Sequence, residues 1–316
     1  MKIVSFLNHD SPEKTRIQVL GLQHKIPCIP CDSRAAVLSI LQNESERDNA
    51  VFFTHETEID FIKELSGDYP TVPIVVVLKT PLQKLAKHMS ECNTVISFMS
   101  TENDVFEEKD FRIILNALKT SKLQNNSNSL ENYLAPDTKF EISLVDTPET
   151  KRSALLGVEE FVNNLVGKCK TPRLDVYAVR AAELLDELLL NAVYDANPRL
   201  NITAPGPQFQ LAPEETATVR WGFDGELFGV SVTDPFGTIQ KNVILKHLDE
   251  AFRKQEIHKQ KTAGLGLKII YERMSHMIVN AQHGKYTEVI CLIRFDHRLR
   301  DFEKRLRSFH FFKNQD

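Results

Sequence analysis

The chain has 316 residues, 42% of them hydrophobic and 26% charged, with only 12 glycines and 14 prolines. That excludes a collagenous, low-complexity or largely disordered chain, and the length asks for two domains rather than one. A formal net charge of −4 argues against a protein-wide nucleic-acid surface, so no nucleic-acid partner is expected.

No apolar run reaches the roughly 18 residues of a membrane-spanning helix. The apolar start at residues 1–7 is too short for a signal peptide. Five cysteines, an odd count spread thinly, suit free thiols in a reducing compartment. The expectation is a cytoplasmic protein with no transmembrane segment.

Short apolar runs alternate with helical patterns through the first 120 or so residues. Strands are predicted at 3–7, 26–29, 50–54, 74–78 and 94–98, and helices near 12–23, 33–42, 57–66, 81–89 and 105–120. Near-continuous Val/Ile/Phe strands between helices predict a doubly wound, parallel α/β sheet over 1–122. Residues 123–137 open on a polar, Asn/Ser-rich run that reads as a linker.

The pattern then changes. A strand at 140–145 leads to helices at 148–166 and 174–196, strands at 216–222 and 226–233, a polar stretch, a helix at 265–277, and strands at 278–283 and 286–295. This mixture predicts an α+β two-layer sandwich over 138–296.

Within that half, four patches carry chemistry. On the helix at 174–196, an apolar stripe (Ala178, Ala181, Leu185, Leu188, Leu189, Ala192) leaves Glu187 and Asn191 on another face, at i and i+4. A carboxylate and a carboxamide so placed suit a general base and an oxygen ligand for Mg²⁺. Asp234 ends a β-run and begins the turn Asp234-Pro235-Phe236-Gly237. A carboxylate there can accept from an exocyclic amine, although a plain Asp-Pro turn would look the same. Thr262-Ala263-Gly264-Leu265-Gly266-Leu267-Lys268 opens a helix with glycines that let backbone N–H groups approach phosphate. Gly284-Lys285-Tyr286-Thr287 places Thr287 at a late hairpin.

In this order, the four patches resemble the nucleotide-binding boxes of the GHKL ATPase superfamily. The run Glu187-Leu188-Leu189-Leu190-Asn191 is most similar to the anti-sigma-factor serine kinase branch. The resemblance implies ATP and Mg²⁺ as cofactors, with Glu187 as the base that activates an attacking hydroxyl and Asn191 as the metal ligand. Asp234 would read adenine, with Gly237 in its turn and Thr287 nearby. The backbone of Gly264, Leu265, Gly266 and Leu267 would cradle the phosphates, with Lys261 and Lys268 flanking it, and 238–263 would be a lid.

The sequence departs from the family where Phe236 replaces the first glycine of the Asp box, and where Asp195 follows Asn191 by four. The resemblance implies a protein serine/threonine kinase acting on a partner, a STAS-type anti-anti-sigma protein or a sigma factor. The alternative is a nucleotide-sensing module that switches partner binding without turnover.

The first half resembles a response-regulator receiver in length and strand spacing but lacks its acids. Only Asp10 follows the first strand, Thr54 stands where the phosphoacceptor belongs, and no lysine ends the fifth strand. It would then be a degenerate receiver used for docking or for homodimer formation. Cys28 and Cys31 form a C-x-x-C that nothing nearby completes, and the ten histidines spell no triad or metal pattern. In the tail, Phe295, Leu299, Phe302, Leu306 and Phe309 alternate steps of four and three amid Arg and Lys, which predicts a basic amphipathic helix over 297–316.

Overall fold

The computed structural model describes residues 1–7, 11–102, 105–106, 108–122, 129–165, 173–200, 208–254, 265–295 and 299–313. Its first elements are β1 (Lys2–Phe6), α1 (Pro12–Gln23), β2 (Cys28–Pro30), α2 (Arg34–Gln42), α3 (Glu44–Arg47), β3 (Ala50–His55), α4 (Ile59–Asp68) and β4 (Ile74–Leu78). Next come α5 (Ala86–Met89), β5 (Val95–Glu102), β6 (Val105–Phe106), α6 (Glu108–Lys122), β7 (Phe140–Val145), α7 (Pro148–Asn163) and α8 (Leu174–Leu190). The chain closes with β8 (Ala217–Phe223), β9 (Leu227–Asp234), α9 (Lys241–Lys254), α10 (Leu265–Arg273), β10 (His276–Gln282), β11 (Tyr286–Arg294), α11 (Leu299–Lys304) and β12 (Ser308–Lys313).

The architecture corrects the expected one, a doubly wound parallel sheet followed by a separate ATP-binding sandwich. The strands hydrogen-bond in one mixed, 12-stranded order, β2-β1-β3-β4-β5-β12-β10-β11-β9-β8-β7, with β6 on β5. Most pairings are antiparallel; only those among β1 to β5 are parallel. The difference arises at the tail. Its expected helix is only the six residues of α11, after which the chain becomes β12 and pairs antiparallel with β5.

Two compact units emerge, each discontinuous in sequence. The first comprises Met1–Leu115, Lys241–Glu250 and Leu306–His310; the second comprises Asn116–Gln240, Ala251–Arg305 and Phe311–Asp316.

In the first unit, β3 and β4 are buried along their whole length, as their apolar runs require. Ser11 caps α1 by accepting from the Lys14 N–H, with Pro12 in the first helical position, and Ser33 caps α2 in the same way. Phe309 of β12 stacks on Phe98 of β5 at 6.1 Å between ring centroids. Polar groups lock the same strand: Ser308 Oγ donates to Asp110 Oδ2 at 2.8 Å, and His310 Nε2 lies 3.0 Å from Asp110 Oδ1.

Helix α9 begins in the first unit, although its segment was expected to be a lid. Ile244, Leu245 and Leu248 are buried along one side. Lys241, 7% exposed, donates from Nζ to the carbonyls of Cys92 (2.5 Å), Val95 (2.6 Å) and Asn93 (3.3 Å). Burial pushes this ammonium down to about 8.

In the second unit, β7-β8-β9-β11-β10 form an antiparallel sheet. Thr147 and Thr150 cap α7 reciprocally, and the expected apolar stripe of α8 is buried throughout. Successive residues point to opposite faces. Trp221 and Phe228 face the helices: a Cβ on Gly157 of α7 would stand 3.3 Å from the Trp221 ring, and Phe161 meets Phe228 at 6.0 Å. Helix α8 packs against α7, α10 and β9. On the opposite face, Leu130, Tyr133 and Leu134, from the stretch read as linker, are buried. A Cβ on Gly229 would stand 2.7 Å from Leu130 and 3.0 Å from Leu134. Residues 123–128 of that linker lie outside the described residues.

Candidate functional site

Antiparallel register between β9 and β11 places Thr287 directly opposite Asp234. By the pleat, both share the sheet face of Phe228 and Trp221, the face that carries the helices. Asp234 is 6% exposed and Thr287 is 1% exposed. Asp234 Oδ1 accepts from the backbone N–H groups of Phe236 (2.9 Å) and Gly237 (3.3 Å), an Asx-type turn. Gly237 closes the turn at φ +65°, where an added Cβ would stand 2.0 Å from the Gln282 carbonyl oxygen. Among the described residues only Lys25 combines a side chain with positive φ, so Phe236 fits the turn without glycine's freedom.

Burial pushes the Asp234 carboxyl up to about 6, against the pull of those two N–H groups and the Thr287 hydroxyl. The Thr287 hydroxyl is near enough to bias that ionisation, yet buried Oγ1 falls short of hydrogen-bonding geometry with any described residue. Asp234 Oδ2 also accepts no hydrogen bond among the described residues. The pair therefore presents an unused acceptor and an unused hydroxyl side by side, on the helix-bearing face.

Glu187 lies in the last turn of α8, half-buried, and faces the opening of α10. An added Cβ on Gly266 would stand 2.3 Å from Glu187 Oε2. The glycine is what lets the first turn of α10 approach this carboxylate so closely. Burial raises the Glu187 carboxyl above its ordinary range, and the charges of Asp186 and Asp195 raise it further, while Lys151 lowers it. Lys151 is occupied with Asp186 at 2.7 Å.

Asn191 follows at the helix end, its N–H still bonded to the Glu187 and Leu188 carbonyls, which keeps it on the face of Glu187. From there Asn191–Asp195 form a π-helical turn, with the Ala196 N–H donating to the Asn191 carbonyl at 2.9 Å. The π-turn interrupts the expected α-helical spacing of Asp195 after Asn191, and Asp195 is exposed. The turn ends the helix, where π-type turns are an ordinary way of finishing. This turn had no sequence signal.

Leu265 starts α10 with only its backbone described, Leu267 is half-buried in the same turn, and Lys261 and Gly264 lie outside the described residues. Lys268 is 3% exposed; its Nζ lies 3.6 Å from Glu272 and 4.8 Å from the centre of the Phe252 ring. The structure thus brings Asp234, Gly237 and Thr287 into one cluster, and Glu187, Asn191 and Gly266 into another, both within the second unit.

In the first unit, Asp10 lies outside the described residues. Thr54 and His55 end β3, buried. Beside them Glu13, fully buried, pairs with Lys79 at 2.9 Å, and Glu56 accepts from the Lys79 and Thr80 N–H groups. Cys28 and Cys31 are free thiols, both raised by burial, Cys28 to about 11. That shift runs opposite to what a reactive thiol needs.

The histidine reading needs correction. Ser97 Oγ lies 2.9 Å from His310 Nδ1, and His310 Nε2 lies 3.0 Å from Asp110 Oδ1, a Ser–His–Asp chain assembled across more than 200 residues of separation. Its members are all fully buried. The chain therefore fastens β12 and α6 together with satisfied polar groups and has no surface to offer a substrate.

No protein-family model matches this chain, and no curated protein matches it in sequence. No helix among the described residues is long and apolar enough to cross a membrane.

Proposed function

We propose that the second unit is an ATP-binding module that works with Mg²⁺ and transfers the γ-phosphoryl group to a serine or threonine of a partner protein. The observation that carries the reading is the buried Asp234–Thr287 pair. Adenine offers an exocyclic amine that needs a directed acceptor and a ring nitrogen that accepts from a hydroxyl; Asp234 Oδ2 and Thr287 Oγ1 are of those two types.

Residues of the types that the other end of a nucleotide would call upon lie in the same unit. Asn191 supplies a hard oxygen donor of the kind Mg²⁺ takes, and the first turn of α10 brings Gly266 beside Glu187, the base. Bound Mg²⁺ would offset phosphate charge. Glu187, raised above its usual range, is suited to receive a hydroxyl proton. Orientation and charge stabilisation would supply most of the rate, as in other phosphoryl transfers. Such chemistry fits a cytoplasmic signalling role, with a STAS-type or sigma-factor partner following from the resemblance to anti-sigma kinases.

The second reading, a nucleotide switch without turnover, is favoured by α9: the segment expected to be a free lid is partly a packed helix. Isothermal titration with Mg·ATP and Mg·ADP tests the binding claim. Wild type should bind and Asp234→Asn should not; equal binding by both refutes the adenine assignment. Glu187→Gln should bind Mg·ATP and lose transfer of labelled phosphate to partner. Full partner regulation by that variant would favour the switch.

A further inference from the structure

In the second unit, the sheet face away from the helices is covered by a short piece of chain. Leu130–Asn132 form a single turn of 3-10 helix, followed at once by Tyr133 and Leu134; Leu130, Tyr133 and Leu134 are buried. So short a turn carries little order of its own, and the cover depends on what lies beneath it. Leu130 and Leu134 meet β9 where Gly229 leaves them room, since an added Cβ there would stand 2.7 and 3.0 Å from the two. Between them in sequence, exposed Glu131 pairs with Arg220 of β8 at 3.6 Å.

Beneath the cover lies a polar patch. Register puts Asn280 of β10 directly opposite Glu288, Ser231 of β9 diagonal to Glu288, and Arg220 directly opposite Ser231. Glu288, Ser231 and Tyr133 are all buried. Glu288 Oε1, Ser231 Oγ and the Tyr133 hydroxyl make no hydrogen bond among the described residues. Such surroundings suit a neutral acid far better than a carboxylate. The charges that act on Glu288 are those of Arg220 from β8 and Glu131 from the cover, while β9 and β10 face it with uncharged Ser231 and Asn280. The Tyr133 phenol in turn feels Glu288 and Tyr286 of β11. Arg220 is the one cation among these groups, and Glu131 of the cover already engages it.

We propose that Leu130–Leu134 is a proton-controlled cover, closed over the sheet while Glu288 is protonated and lifted when Glu288 ionises. Closing claims Arg220 for Glu131 and so withholds it from Glu288. Once the Glu288 carboxyl gives its proton to solvent, two carboxylates compete for one guanidinium, and the buried one has no water to turn to. Lifting the cover admits water to Glu288 and leaves the strands paired. Burial raises Glu288 from 4.5 to about 7. The closed state therefore holds the proton longer, loses stability as pH rises from 4.5 to about 7, and loses no more above that window. Every residue of the device lies within the second unit, and none of it depends on the nucleotide reading.

Hydrogen exchange followed by mass spectrometry on the full chain reads the opening of the cover separately from that of the strands. After correction for the intrinsic pH dependence of exchange, peptides spanning 129–135 should exchange faster than those of β9 and β11 at every pH. Their opening constant should rise about tenfold or more between about pH 5.5 and pH 8, then level off. Glu288→Gln, which cannot ionise, should keep the cover shut and remove the rise. Glu131→Gln, an exposed change that leaves the core untouched, frees Arg220 for Glu288. In that variant opening at low pH should increase, and the rise with pH should shrink to less than about half. A cover that exchanges only together with β9 and β11 overturns the proposal, because it then opens only when the whole unit does. A rise of wild-type size in Glu288→Gln overturns it too, since another group is then titrating. An undiminished rise in Glu131→Gln overturns the competition for Arg220 on which the device is built.

Discussion

Replacing Asp234 with asparagine should stabilise the second unit while removing adenine recognition. Asp234 is 6% exposed, and its carboxyl rises from 3.8 to about 6, chiefly through burial. A displacement of that size is a penalty of about 3 kcal/mol on the ionised form. Because the folded-state value lies above the unfolded one, the native protein holds the proton longer. Its stability therefore falls as pH rises from 3.8 to about 6, and the penalty is complete above that window.

Asparagine keeps an oxygen for the N–H groups of Phe236 and Gly237, but as neutral bonds, a loss of about 1–2 kcal/mol in total. The net gain expected at about pH 8 is 1–2 kcal/mol, with none at about pH 4, where the wild-type carboxyl is already protonated. The chain's single tryptophan, Trp221, is buried on β8 and reports on the second unit by fluorescence. Urea midpoints at the two pH values, with the slope held common, measure the difference. A stability change of the same sign and size at both pH values would refute the argument. So would loss of stability at pH 8.

Glu288→Gln should show the same pH signature in the same assay without touching nucleotide affinity. Glu288 is 3% exposed and raised by burial to about 7, so wild-type stability falls between 4.5 and about 7, and the variant should gain up to about 2–3 kcal/mol above that window. Gly237→Ala meets positive φ and a backbone oxygen 2.0 Å from the new Cβ, so a loss of about 3 kcal/mol is expected, read as a lower urea midpoint. Gly266→Ala meets only the end of a flexible side chain, Glu187 Oε2 at 2.3 Å. The carboxylate should swing aside with less than about 1 kcal/mol of stability lost, while labelled phosphate transfer falls at least tenfold and Mg·ATP still binds.

Much of the secondary structure was legible because local rules and tertiary burial agree. The run at 74–78 is apolar at every position and becomes a fully buried strand; Ser11-Pro12 and Thr147-Pro148 announce helix starts that the structure caps as expected. The tail was misread because Phe302 and Phe309 fit a helical stripe equally well. What makes 308–313 a strand is the buried pairing of Ser308 and His310 with Asp110, about 200 residues away, which no local period can show. That one misreading also hid the mixed sheet. Helix α9 was concealed differently: its Lys, Asp and Glu residues suggested a solvated lid, while Ile244, Leu245 and Leu248 supply a narrow buried stripe.

For the site, Asp234 and Thr287 were legible as types, but their opposition depends on β9–β11 register. The π-turn after Asn191 was not legible at all, since one extra residue in a helical turn leaves no compositional trace.

The two raised carboxyls of the sheet show why a displaced pKa does not by itself mark a site. Asp234 and Glu288 are both buried, and both are raised by more than two pH units through desolvation. Glu288, one residue beyond Thr287, points by the pleat to the opposite face, where Ser231, Asn280 and the charge of Arg220 lie near, although Glu288 Oε1 and Ser231 Oγ make no hydrogen bond among the described residues. That face is closed by Leu130, Tyr133 and Leu134. Asp234 points to the helix face, with one oxygen committed to its own turn and the other beside an unsatisfied hydroxyl. Unused polar capacity is therefore common to both acids, and what distinguishes Glu288 is that its face is closed over by the chain itself. Asp234 and Thr287 lie instead on the face that carries α8 and α10, the helices of Glu187 and Gly266, and it is this placement that sets their pair apart. The paired variants Asp234→Asn and Glu288→Gln separate the two cases: the pH signature should be common to both, and the loss of nucleotide binding should belong to Asp234 alone.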